Sequence, residues 1–318
     1  MLVDIVKVLA GLGLLVVAGD WLVKGAVNLA LRLGIPALVV GLTVVAFGTS
    51  APEMMVSVAA VLDHKPAIAL GNVIGSNTAN ILLVLGLPAL ISAIRTDEHD
   101  LRESWMMMIG ASLLFILLAF LGPIRWPQAL ILLAALALIL GRQIGQAMAH
   151  RRGRAEEEEE LEGADAGMGG AKIALFLVLG LIGLPLGADF LVDGASGIAR
   201  AAGIPEAVIG LTLVAIGTSL PELATSITAA RKGQADVALG NVIGSNIFNL
   251  LAILGVAGLF GPLPVPEGMK HLDLWVMLGA SLLIAPFLFR RRPFTKVTGI
   301  GFTALYAIYV VALMAAGG

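Results

Sequence analysis

"GIPALVVGLTVVAFGTSAPE" at residues 34–53 returns 169 positions later as "GIPEAVIGLTLVAIGTSLPE" at 203–222, and this match decides how the chain is built. The offset continues downstream, where "ALGNVIGSNTAN" at 69–80 meets "ALGNVIGSNIFN" at 238–249. From Gly34 to Asn80, 26 of 47 positions are identical without a gap. It also holds upstream, back to Asp20 and Asp189 in "GDWLVKGA" and "ADFLVDGA". Agreement of this extent marks a duplicated unit.

Composition says which solvent the duplicated unit meets. The chain has 318 residues, 58% of them hydrophobic and only 13% charged, with a mean hydropathy of +0.98, outside the balance of a soluble domain. Uncharged runs such as "WPQALILLAALALILG" approach the roughly 20 residues that cross a bilayer as helix. Period-2 alternation, the mark of a barrel, is absent. Apolar segments between charged or Pro/Gly-rich breaks are centred near residues 14, 48, 80, 113, 137, 186, 217, 248, 280 and 306. The first carries Asp4 and runs straight into the repeat, so it reads as a retained span and not a signal peptide. With zero Cys, no thiolate chemistry or disulfide is available.

Ten spans in two copies give five per copy, and an odd number sends the second copy through the membrane from the opposite side. The expected fold is an all-α integral membrane protein of ten transmembrane helices in two inverted five-helix repeats, residues 1–148 and 172–318, joined by an acidic linker at 149–171. This is the plan of secondary transporters, whose sites lie near the midplane where discontinuous helices meet. Basic residues assign the sides. The side of the termini holds five (Lys7, Lys65, Arg125, Arg200 and Lys270), and the opposite side holds fourteen. The positive-inside rule then places both termini outside the cytoplasm and the linker within it, in a multi-pass protein of the cell inner (plasma) membrane.

An isolated carboxylate such as Glu53 is costly in the middle of a span, and Pro52 removes a helix bond to the Gly48 carbonyl. The repeat supplies each with a twin, Glu222 and Pro221. Non-helical backbone is tolerated at this depth only where it lines a cavity or is buried in protein, so the Gly48 and Gly217 carbonyls become candidate ligands. Thr49 and Glu53 are spaced i, i+4 with Ser50 beside them, and Thr218, Ser219 and Glu222 repeat the set. In the next span Asn72, Ser76 and Asn80 fall on one stripe, repeated by Asn241, Ser245 and Asn249. All of these present oxygen, with no Cys or His among them, which suits Na⁺ or Ca²⁺ better than zinc or copper. Two carboxylates match a divalent cation in charge, and close like charges disfavour joint ionisation, so protons compete with the cation.

Each feature has a plainer reading. A lone buried Glu would be half of a structural ion pair, with Lys24 a candidate partner. An Asn/Ser stripe alone would be interhelical packing. Symmetric placement within repeated motifs favours function for both. Asp20 and Asp189 are read as structural or gating, the run "RRGRAEEEEELEGADAGMGG" as a solvated linker, and the Trp residues and Met106 to Met108 as core or interfacial anchors. The Gly-rich turns lack a Walker-type Lys.

The paired "GTSAPE"/"GNVIGSNTAN" and "GTSLPE"/"GNVIGSNIFN" motifs resemble those of the cation/calcium exchanger superfamily, and within it the prokaryotic sodium/calcium exchangers. The resemblance covers the whole chain except the linker. It implies an antiporter, not an enzyme, that exchanges Ca²⁺ for Na⁺ by alternating access, with no cofactor. Its partners are the two ions and the lipid bilayer, with no nucleic acid and no obligatory protein partner. Glu53 and Glu222 would be the main Ca²⁺ ligands, with Thr49, Ser50, Ser76, Thr218, Ser219 and Ser245 completing Na⁺ sites beside Asn80 and Asn249. The first and sixth spans, with Asp20 and Asp189, would be the long tilted gating pair. One departure stands out: several family members have Asp where this chain has Asn249. Fewer negative charges leave the stoichiometry open, and H⁺ is the alternative coupling ion. Exchange of three Na⁺ for one Ca²⁺ moves a net charge, worth about 2.3 kcal/mol per 100 mV, whereas two for one ignores voltage. A cation channel is a rival of another class, but selectivity rings come from symmetric subunits. An acid-pair hydrolase would not need so many flanking hydroxyl and amide oxygens.

Overall fold

The computed structural model of the chain describes residues 1–96, 100–153, 165, 167–202 and 215–317. Its helices are α1 (Leu2–Leu33), α2 (Ala37–Thr49), α3 (Ala51–Leu62), α4 (Pro66–Ile91), α5 (Arg102–Leu121), α6 (Trp126–Gly153), α7 (Gly170–Ala201), α8 (Leu220–Arg231), α9 (Ala235–Phe260), α10 (Met269–Phe289) and α11 (Lys296–Gly317). A short helix at Ala215–Gly217 precedes α8. Among the described residues eight helices are long and apolar enough to cross a membrane, or nine when the bent pair α2–α3 is one span. The span expected around residue 217 falls partly on 203–214, and much of the central linker on 154–164 and 166, all outside the described residues.

The apolar segment centred near residue 48 is not one straight span. α2 and α3 meet at 43°, with the break at Ser50, and Pro52 stands in the first turn of α3, where a missing N–H costs nothing. Inside α2 the stretch Gly41–Val45 winds as a π-helix, as does Asn249–Ile253 inside α9. Such bulges lengthen the turn and redirect side chains, often at functional sites.

α4 and α9 form the centre, with 72% and 89% of their most apolar windows buried against 17–44% in the other spans. They carry the two copies of "ALGNVIGSN", whose small residues let neighbours approach closely. An added Cβ at Gly240 would lie 2.8 Å from the Leu38 carbonyl oxygen, and one at Gly244 2.6 Å from that of Leu42. Two isolated bridges involve positions related by the offset. Ile94 pairs with Phe294 and Leu263 with Ile124 in isolated antiparallel bridges, and Ile94 and Leu263 are themselves 169 positions apart.

α1 and α7 have 32 residues each, about 48 Å of helix against about 30 Å of hydrocarbon, so they must tilt. They pack on each other along a glycine seam. A Cβ at Gly180 would sit 2.7 Å from that of Leu22, and one at Gly183 2.7 Å from that of Ala18. The Gly180→Leu variant is therefore expected to lose stability by about 1–3 kcal/mol through overpacking. The check is the thermal unfolding midpoint in detergent; an unchanged midpoint would mean that the helices do not meet here as described.

Candidate cation site

Two motif breaks and two central helices converge near the middle of the bundle. Glu53 stands in the first turn of α3 and Glu222 in the first turn of α8, where the positive end of a helix favours a carboxylate. Both side chains are fully buried. Thr49, Ser50, Ser76, Ser219, Ser245, Asn80 and Asn249 are buried as well, and Thr218 is half-buried.

The bonds that hold these groups follow the duplication residue by residue. Asn72 Nδ2 donates to the Glu53 backbone oxygen (3.2 Å) and to Ser57 Oγ (3.0 Å), while its Oδ1 accepts from Thr218 Oγ1 (3.4 Å). Asn241 Nδ2 donates to the Glu222 backbone oxygen (3.4 Å) and to Ser226 Oγ (3.4 Å), while its Oδ1 accepts from Thr49 Oγ1 (3.1 Å). Each Asn thus ties the Glu turn of its own repeat to the Thr of the other. Neither is the free oxygen donor suggested by its place on the stripe, since both ends of each amide are engaged. Between α4 and α9, Asn77 and Asn246 exchange side-chain bonds to each other's backbone oxygens, both at 3.2 Å, and Asn80 Nδ2 donates to Asn246 Oδ1 (3.0 Å). Ser57, Ser226, Asn77 and Asn246 were not among the expected site residues. The signal was present, because each pair is identical at the 169-residue offset.

The carboxylates themselves depart from the symmetry. Glu222 Oε1 accepts from Ser50 Oγ (3.3 Å) and Ser245 Oγ (3.4 Å), whereas neither oxygen of Glu53 has a hydrogen-bond partner among the described residues. Glu222 Oε2, Asn80 Oδ1, Ser219 Oγ and both polar atoms of Asn249 are also buried without a partner. Buried polar atoms are almost always satisfied, so a cluster of orphans needs an explanation. No cationic side chain pairs with either Glu among the described residues. Lys24, weighed above as a partner for Glu53, instead bonds Asp20 Oδ2 at 2.9 Å, and Lys232 bonds the other oxygen of Asp20. Asp20 is thus in a structural ion cluster, while its counterpart Asp189 is exposed and unpaired among the described residues.

The orphan set is rich in oxygen, with two carboxylates, a hydroxyl and amide carbonyls, which is the donor chemistry of Na⁺ and Ca²⁺. Among the described residues no three His, Cys, Asp or Glu side chains gather, so the two Glu are the acidic donors here. At the end of α2 the Gly48 carbonyl accepts a capping N–H. An added Cβ at Gly48 would strike Leu181, and one at Gly217 would strike Val192, so both motif glycines admit side chains of α7.

Comparison with known proteins agrees with this architecture. The family model described as sodium/calcium exchanger protein matches residues 4–145 and 172–315, leaving out the linker. The sodium/calcium exchanger MaX1 of Methanosarcina acetivorans is 35% identical, with 98% of each chain covered. The inner membrane protein YrbG of Escherichia coli is 38% identical over 92% of this chain and 91% of its own. A solved structure of the sodium-calcium exchanger NCX_Mj, soaked with zero Na⁺ and Ca²⁺, superposes with a TM-score of 0.84 at 35% identity over 98% of this chain and 99% of that one. The fold is shared along the whole length, and the chain belongs to the sodium/calcium exchanger family.

Proposed function

We propose that the chain exchanges Ca²⁺ for Na⁺ across the membrane by alternating access around Glu53 and Glu222. The observation that carries this reading is the orphaned oxygen cluster at the crossing of the two repeats. Two buried carboxylates without a protein cation are costly, and a bound Ca²⁺ or Na⁺ offsets that cost. Glu53 and Glu222 are the Ca²⁺ ligands. Thr49, Ser50, Ser76, Thr218, Ser219 and Ser245 surround them with hydroxyl and backbone oxygens, and Asn80 and Asn249 close the ring. The scaffold is ten helices in two inverted repeats, 1–148 and 172–318, with both termini outside the cytoplasm and the linker inside. The relatives named as sodium/calcium exchangers support Na⁺ as the coupling ion.

The test is uptake of labelled Ca²⁺ into proteoliposomes of the purified protein, loaded with Na⁺ or with choline. Uptake is expected only with internal Na⁺. Uptake that follows an imposed pH gradient in the choline vesicles would replace Na⁺ with H⁺. Ca²⁺ entry down its own gradient with no counter-ion would sink the antiporter reading.

A further inference from the structure

Away from the central site, a groove of about 410 Å³ runs between α1 and the end of α8, lined by Val16, Val17, Asp20, Thr228, Arg231 and Lys232. Its two ends differ. On α1 the outward stripe Leu9, Leu12 and Val16 is bare hydrocarbon, 64%, 46% and 62% exposed, and at helical spacing it continues into Asp20 and Lys24. Asp20 lies 18 residues along the helix from Leu2, about 27 Å, close to the far edge of about 30 Å of hydrocarbon. At that level Lys24 and Lys232 pair with Asp20 and Arg231 lines the same groove, three cations to one carboxylate. Asp20 is bonded by both lysines, and Arg231 is exposed with no ion pair or hydrogen bond among the described residues.

The duplicated sequence supplies a comparison. The positions related by the 169-residue offset to Asp20, Lys24, Arg231 and Lys232 are Asp189, Asp193, Leu62 and Asp63. Those positions carry three carboxylates, of which Asp193 pairs with Lys7, so the excess of positive charge beside Asp20 is not repeated in the other copy. The charge distribution puts the basic copy on the cytoplasmic side, the leaflet that carries anionic lipid.

We infer that this groove binds the headgroup of an anionic phospholipid of the cytoplasmic leaflet. The phosphate sits against Arg231 and Lys24, and an acyl chain lies back along Val16, Leu12 and Leu9, a track of about 16 Å measured from Asp20 to Leu9. Asp20 keeps Lys24 and Lys232 oriented and leaves the cluster net positive. Only the choice of leaflet rests on the orientation proposed above; binding itself does not depend on exchange activity.

The test is native mass spectrometry of the full-length protein in detergent micelles, titrated with phosphatidylglycerol, phosphatidylcholine or inorganic phosphate. Phosphatidylglycerol is expected to be retained at least about fivefold more strongly than phosphatidylcholine, and Arg231→Gln to lower its retention about fivefold, the effect of one basic residue near an anionic surface. Lys24→Gln, on the other helix, should act in the same direction, which protects the result against a local folding defect in either variant. Equal retention of the two lipids, or wild-type retention in both variants, would overturn the assignment. Displacement of the lipid by millimolar phosphate would also overturn it, making the groove a site for a soluble anion.

Discussion

Glu53→Gln is expected to abolish Na⁺-dependent Ca²⁺ uptake, and Glu222→Gln to do the same, each leaving a folded protein. Removing one partner from a buried charged arrangement costs about 3–5 kcal/mol, which corresponds to between two and four powers of ten in cation affinity. The structure adds a second expectation that separates a ligand from a prop. Both Glu53 oxygens are buried without a partner among the described residues, so the neutral amide should make the cation-free protein more heat-stable than its parent. The stabilisation that Ca²⁺ confers on the parent should disappear in the variant, since a ligand raises stability only through the folded state that binds it. A melting curve with and without Ca²⁺, run beside the uptake assay, checks both. If Glu53→Gln were destabilised and still transported Ca²⁺, Glu53 would be part of the scaffold and the proposed site would be wrong.

The second large effect concerns Asn249. Its side chain is buried, both polar atoms lack a partner among the described residues, and it opens the π-helical turn of α9. Asn249→Asp adds a third acidic group to a centre that already holds two. Close carboxylates resist joint ionisation, so protons compete more strongly with the cation. Uptake at pH 6 relative to pH 8 should fall about tenfold further than in the parent, the size of a one-unit change in proton affinity. Where the new group is ionised it also changes the charge carried per cycle, and each net charge moved is worth about 2.3 kcal/mol per 100 mV. Uptake under imposed potentials of both signs reads that change. A variant whose pH profile and voltage response both match the parent would show that position 249 lies outside the ion path.

These expectations draw on two kinds of information. Glu53, Glu222 and their hydroxyl neighbours could be named from the chain alone because their signal is local. A carboxylate and a proline inside an apolar run conflict with the bilayer wherever the chain folds. A match at 169 residues gives that conflict a symmetric partner. The helical membrane class follows in the same way, since in hydrocarbon every backbone polar group must be satisfied within the protein. The central position of α4 and α9 had a weaker trace, in runs of small residues that pack closely.

Symmetry in sequence does not say how the symmetry is broken, and that was left to the tertiary structure. Asn72 and Asn241 were visible as oxygen donors, yet packing turns them into clamps between Glu turns and Thr hydroxyls about 150 to 190 positions away in the chain. Asp20 and Asp189 match at the offset, but among the described residues only Asp20 meets lysines: Lys232 arrives from the end of α8, while its counterpart is Asp63. Glu222 is held by Ser50 and Ser245, while Glu53 has no side-chain partner among the described residues. By itself the sequence determined that the chain is a duplicated bundle of membrane helices with a pair of acidic motifs. Which oxygens are spent on holding the bundle together, and which remain for a cation, only the tertiary structure decided: hydrogen bonds form between groups within about 3 Å, and that distance is set by how helices remote in the chain cross.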